Sequence, residues 1–227
     1  YRMNIPQIGI VSTSKPSDQN WTRFSFGVGY NQLKNFNESF TVSGNALNTS
    51  LTEIFVLQAQ GIPGEELTNS FPFGAGLAWE SYLINPADTT DANNYISAIP
   101  YGSLKQTNVV ERRGRMGETV LAFGGSYQDR LYLGLSLGFP VVRFEEKSSY
   151  TESDVDPDLD IQDYTINQEL FTSGNGINVK LGGIYRVTNQ FRVGASWHSP
   201  SFISLNDTYE TSVVSRFKNG DTYSANS

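Results

Sequence analysis

Residues 131 to 139 read Leu-Tyr-Leu-Gly-Leu-Ser-Leu-Gly-Phe, and this nonapeptide constrains the fold more than any other segment of the chain. Side chains alternate faces along an extended strand with period two. Leu131, Leu133, Leu135, Leu137 and Phe139 therefore share one face, and Tyr132, Gly134, Ser136 and Gly138 share the other. A soluble sheet turns its second face to water with Lys, Glu or Thr, or buries it under another layer. Here the second face is small and weakly polar, while the first is uninterrupted hydrocarbon. That pattern fits a strand with lipid on one side and a lumen on the other. A buried sandwich strand can read the same way, so one segment does not decide.

The pattern recurs. Phe24, Phe26, Val28 and Tyr30 oppose Arg23, Ser25, Gly27 and Gly29. Thr119, Leu121, Phe123, Gly125 and Tyr127 oppose Glu118, Val120, Ala122, Gly124 and Ser126. Ile177, Val179, Leu181, Gly183, Tyr185 and Val187 oppose Asn178, Lys180, Gly182, Ile184 and Arg186. Phe191, Val193, Ala195 and Trp197 oppose Arg192, Gly194, Ser196 and His198. Val120, Gly183 and Ile184 are the exceptions. The expected fold class is all-β, an antiparallel transmembrane β-barrel.

Composition is compatible with this and does not force it. A chain of 227 residues is one domain or two small ones. No run approaches the roughly 18 apolar residues of a spanning helix, and barrel strands escape hydropathy because each is half apolar. The 21 glycines and 13% aromatic residues suit a crowded lumen and interfacial girdles, although a soluble β-sandwich tolerates them too. Cysteine is absent, which excludes disulfides and thiolate metal sites. A net charge of -7 argues against nucleic acid as a partner. No signal-peptide pattern opens the chain at Tyr1, so the expectation is the interior of a longer protein, or a processed one.

The connections fall into two classes. Gln128-Asp129-Arg130 and Thr188-Asn189-Gln190 are short turns, and residues 15–22 form a longer polar one. The connections at 37–104 and 151–163 are long. Short periplasmic turns and long extracellular loops are the asymmetry of outer-membrane barrels. Six strands are expected, at 4–14, 23–36, 105–127, 131–150, 164–187 and 191–216, with residues 1–227 forming part of one barrel domain. Within 37–104, Ser50-Leu51-Thr52-Glu53 is a capping-box pattern. It predicts a short helix near 50–60, which Gly61 and Pro63 terminate. The apolar run from Phe71 to Ile84 reads equally as a strand pair or a helix.

The stretch from Asn175 through Val187, followed by Phe191-Arg192-Val193-Gly194-Ala195-Ser196-Trp197-His198-Ser199-Pro200, resembles the FadL/TodX family of outer-membrane transporters of hydrophobic compounds. Phe24 to Asn31 and the helix after residue 49 are similar to its Bacteroidetes-type members. The family's N-terminal hatch run and its closing C-terminal strands are not in this chain. The resemblance implies a barrel of about fourteen strands, of which this chain supplies fewer than half. It also implies passive uptake of hydrophobic small molecules such as long-chain fatty acids, placement in the outer membrane of a Gram-negative cell among lipid and lipopolysaccharide, and a kinked strand that opens a lateral exit. Pro140 and Pro200, each ten residues beyond a turn, mark where such a kink would fall.

Catalytic chemistry finds little support, and no enzyme activity, cofactor or metal is expected. His198 is the only histidine, so a multi-histidine metal site or His-based triad has nothing else to build on. The acidic loop from Asp154 to Asp163 offers alternating carboxylates for calcium. It fails the EF-hand pattern at Leu159 and Thr165, and reads as solvated. Lys180, Arg186 and Arg192, with Arg112, Arg113 and Arg115, are candidates to hold a ligand carboxylate. Pairing with a wall carboxylate such as Glu118 is the competing role. Exposed apolar loop residues form a first binding surface on this reading. The candidate ligand-binding residues are therefore Leu51, Ile54, Phe55, Phe71, Phe73, Trp79, Lys180 and Arg192. Two alternatives stay open: a general porin or structural barrel subunit, and a soluble β-sandwich binding or adhesion module.

Overall fold

The computed structural model describes residues 6–18, 20–47, 49–88, 91–99, 103–153 and 158–227. In chain order the elements are β1 (Gln7–Ser14), β2 (Trp21–Asn35), β3 (Glu38–Leu47), α1 (Thr52–Ala59), α2 (Gly64–Ser70), α3 (Ala75–Glu80), β4 (Ile84–Asp88), β5 (Asp91–Ser97), β6 (Ser103–Tyr127), β7 (Leu131–Ser153), β8 (Ile161–Arg186), β9 (Arg192–His198), β10 (Phe202–Phe217) and β11 (Thr222–Asn226). The chain is mostly antiparallel β-structure with few helices. Nine strands make one sheet in the order β1-β2-β6-β7-β8-β10-β11, with β3 also on β6 and β9 also on β8. β4 and β5 form a separate hairpin. The order does not return on itself, so the described strands form an open sheet rather than a closed barrel.

Five of the expected strands are present with shifted ends, as β1, β2, β6, β7 and β8. Asn4 and Ile5, at the start of the first expected strand, lie outside the described residues. The expected strand 191–216 is two strands, divided at Ser199-Pro200-Ser201. Proline has no N–H for the ladder, and here the Ser199 hydroxyl accepts the Val179 N–H at 2.9 Å in place of a backbone carbonyl. β7 by contrast runs unbroken through Pro140, so only the second proline interrupts a strand.

The region 37–104, expected as a long connection with a short helix, holds more regular structure than that. Glu38–Leu47 is β3, paired along its whole length with β6 from Glu38 opposite Arg112 to Leu47 opposite Ser103. The region also holds all three helices and the β4–β5 hairpin. The reach of 151–163 likewise shrinks, because Thr151 to Ser153 end β7 and Ile161 begins β8; Asp154, Val155, Asp156 and Pro157 lie outside the described residues. The expected helix is α1, and the Phe71–Ile84 run contains α3 between turns. Half of the expected capping box forms: the Glu53 carboxylate accepts the Ser50 N–H at 3.0 Å. The Ser50 hydroxyl accepts the Thr52 N–H at 3.2 Å instead of that of Glu53, and donates to the Glu152 carboxylate at 2.6 Å.

The chain divides into two compact units. The first comprises Tyr1–Asn37, Arg113–Phe144 and Thr172–Asp207, and the second Glu38–Arg112, Glu145–Phe171 and Thr208–Ser227. β6, β7 and β8 contribute residues to both.

The second unit carries the hydrophobic core. Phe55, Ala59, Leu67, Leu77, Leu83, Ile84, Tyr95, Ile99, Leu104, Ile161, Tyr164 and Val213 are all buried in one cluster. Each large apolar side chain removed from water there contributes about 1.5–3 kcal/mol. The three helices are short, 6 to 8 residues, too short to be stable alone, so this burial is what holds them. α3 ends in a Schellman turn in which Leu83 N–H donates to Ala78 O at 2.8 Å and Tyr82 N–H to Trp79 O at 3.1 Å. Tyr82 takes the left-handed φ of 59° that such a turn usually gives to glycine, and its ring packs on Tyr223 at 4.5 Å.

None of the first unit's described residues belongs to that core cluster. Most of the unit's large apolar side chains lie open on one face of the sheet instead, with Val11 and Ile184 exposed on the other.

Candidate functional site

Register fixes the two faces of the first unit. Phe26 stands opposite Phe123 and Val28 opposite Leu121 across β2 and β6, and Leu181 opposite Trp197 across β8 and β9. Phe24, Phe123, Leu133, Leu135, Leu181 and Trp197 line one shallow apolar depression together with Trp21. Leu133 is 47% exposed, Phe26 42% and Trp197 57%. Rings reinforce the face: Phe26 on Phe123 at 5.1 Å, and Trp21 on Phe24 at 5.1 Å and on Tyr127 at 5.3 Å. The alternation read from the sequence is therefore a continuous apolar surface across neighbouring strands. Ile184, also exposed, remains an exception on the polar side, opposite Gly194.

The polar face carries a buried carboxylate. Glu118 on β6 is 3% exposed and accepts three hydrogen bonds from two donors. Lys180 Nζ lies 3.3 Å from its Oε1 and 3.1 Å from its Oε2, and Asn178 Nδ2 donates to Oε1 at 2.6 Å. Asn178 Nδ2 also reaches Ser201 Oγ at 3.2 Å, just past the break at Pro200. Gly138 on β7 leaves the space for this group, since a methyl there would collide with both Glu118 and Asn178. Asn178 Oδ1 is buried without a partner. Lys180 therefore serves the wall carboxylate rather than standing open for a ligand.

Arg192 differs. It is exposed and stands directly opposite Arg186 in the β8–β9 register. The Arg186 N–H donates to the Arg130 carbonyl at 2.8 Å, which brings the 128–130 and 188–190 turns to one end of the unit. Gln128 N–H bonds Asn20 O at 2.7 Å, so the 15–20 turn joins them. Neither Arg186 nor Arg192 has an ion-pair partner among the described residues. Arg112, in the second unit, is committed elsewhere: Glu38 and Glu146 bind its guanidinium, which also lies 5.6 Å from the Phe40 ring centre. Arg113 has a partner of its own.

The expected capture residues separate in the second unit. Phe55 is buried in the core, and Leu51, Phe71 and Trp79 are half-buried against it. Trp79 packs edge-on to Tyr95 at 5.6 Å and lies over Gly64. Ile54 is 50% exposed and Phe73 47%, Phe73 leaning on Tyr209 at 5.1 Å. Leu57, at 76%, is the most exposed apolar residue of α1.

The sequence reading did not single out Glu152. This fully buried carboxylate accepts Leu51 N–H at 3.0 Å, Gln106 Nε2 at 2.9 Å, Tyr150 OH at 2.7 Å and Ser50 Oγ at 2.6 Å. It ties the start of α1 to β6 and β7. Burial, with Glu152 beside them, pushes the phenols of Tyr150 and Tyr164 far above the ordinary tyrosine range. No cluster of His, Asp or Glu suited to a metal occurs among the described residues.

Charge is segregated between the units. The first holds 11 Lys and Arg against 4 Asp and Glu, the second 5 against 19. The overall charge of -7 conceals a basic strand unit and a strongly acidic globular one. Compared with family models, curated proteins and solved structures, the chain matches none.

Proposed function

We propose that this chain is part of an outer-membrane β-barrel that admits hydrophobic small molecules, of the long-chain fatty-acid kind, by passive diffusion. The observation that carries the reading is the uncovered apolar face of the first unit, backed by a face of glycine, serine and paired polar groups. A soluble sandwich would cover such a surface with a second layer; a membrane strand leaves it to lipid. The FadL-like hairpin sequence at 175–200 supports the same reading. On this reading the water-facing Ile54, Leu57 and Phe73 of the second unit form an extracellular capture surface. A general porin has no need of such a surface. No catalytic step is part of this function.

Two measurements test it. Outer-membrane fractionation with labelling of single cysteines in intact cells should leave positions 129 and 189 protected and label position 57. Uptake of a labelled long-chain fatty acid should fall in an Ile54→Ser/Leu57→Ser variant that still inserts. A folded, monodisperse protein in plain buffer would sink the barrel reading. Unchanged uptake with correct insertion would sink the capture-surface assignment alone.

A further inference from the structure

The apolar face ends at arginines on two adjacent strands. On β7 the alternating series from Leu131 to Val141 is followed on the same face by Arg143. On β6 the series Phe123, Leu121, Thr119 and Gly117 leads to Arg115 and then Arg113. The ten residue steps from Leu131 to Val141 span roughly 33 Å of strand. At a tilt of about 40° this covers about 25 Å of membrane depth, the height of a barrel's apolar band. Arg143 therefore falls about one residue pair beyond that band, at the depth of lipid head groups.

The two strands approach closely here. Gly114, between the two β6 arginines, has a φ of +130°, and a methyl on it would collide with the Arg143 carbonyl. Only glycine permits that approach, which brings the backbone beside Arg115 against that of Arg143. Both of these arginines are exposed. Arg115 and Arg143 have no ion-pair partner among the described residues. Like charges on neighbouring strands repel unless an anion lies among them. Tyr30 covers Gly117 just below, as an interfacial aromatic does.

We propose that Arg115 and Arg143 bind the phosphate groups of a phosphorylated glycolipid in the outer leaflet. The inference rests on the barrel reading and adds a specific lipid contact to it. Guanidinium groups match phosphate oxygens in pairs, which suits Arg here better than Lys. The basic charge of this unit supplies the matching field.

The test uses the full-length protein in nanodiscs, with bis-phosphorylated lipid A or the same lipid stripped of phosphate, and reads retained lipid by native mass spectrometry. Each arginine is expected to be worth about fivefold in retention, so Arg115→Gln/Arg143→Gln should lose about 25-fold toward the phosphate-free level. An Arg23→Gln control, far along β2, should retain lipid normally. Inorganic phosphate at the same concentration as lipid should not displace it, which separates a lipid site from one for free phosphate. Equal retention of the two lipids by wild type, full retention by the double variant, or displacement by inorganic phosphate overturns the proposal. Failure of wild type to enter nanodiscs overturns the barrel reading instead.

Discussion

Glu118 on β6 and Lys180 on β8 meet on the polar face with both carboxylate oxygens within 3.3 Å of the ammonium nitrogen. The two are 62 residues apart, and β7 runs between their strands in the sheet. Gly138, on that intervening strand, lacks the side chain that would keep them apart. The Lys side chain is 35% exposed and the Glu 4%, so the carboxylate bears most of the desolvation and the pair is not a fully buried one.

Removing the acceptor should therefore cost more than removing the donor. Glu118→Leu leaves Asn178 and Lys180 without their partner and is expected to destabilise by about 1–3 kcal/mol. Adding Lys180→Met should recover part of that loss. Urea unfolding in vesicles, arranged as a double-mutant cycle, measures the coupling. Additive losses would mean that the geometry contributes no interaction energy.

The face assignment makes a sharper prediction. Leu135→Arg should cost about 2–4 kcal/mol at mid-bilayer depth, whereas Ser136→Arg should cost less and obstruct the lumen instead. Folding yield in vesicles and ion conductance in planar bilayers separate the two outcomes. Equal folding penalties would count against lipid at Leu135, because one residue of register exchanges the faces.

In the second unit, adjacent α1 residues should behave oppositely. Phe55→Ala empties a buried core position and is expected to cost about 3–5 kcal/mol. Ile54→Ser, half exposed, should change stability by less than about 0.5 kcal/mol. Comparing their unfolding midpoints checks the helix orientation directly.

Tyr150 and Tyr164 give a pH signature. Their phenols titrate higher in the folded protein than in the unfolded chain because burial disfavours the phenolate. Such groups contribute stability that is complete below the ordinary tyrosine pKa of about 10 and is lost as pH rises above it. Phenolate absorbance should show these two tyrosines ionising only on alkaline unfolding. Replacing both with Phe should flatten the loss of stability above about pH 10. Early ionisation of all twelve tyrosines, with the fold intact, would contradict their burial.

Strand periodicity was legible because it is local. Alternation at 131–139 or 191–198 needs only the backbone's period of two, and β7 and β9 fall where it predicts. The short turns and α1 were legible for the same reason, from turn residues and a capping pattern. What the sequence could not show is partnership. β3 carries Phe40, Val42 and Leu47 without a strong alternating signature, and only ten pairings with β6 make it a strand. Phe55 and Ile54 look alike in a helical stripe, and only packing against the second unit's core buries one and exposes the other. Lys180 and Arg192 read alike as lumenal cations until Glu118, remote in sequence, takes the first and leaves the second facing Arg186. Local periodicity determined which residues share a face. Tertiary structure decided which of them are already satisfied, because burial and hydrogen bonding depend on neighbours that the chain brings together only when folded.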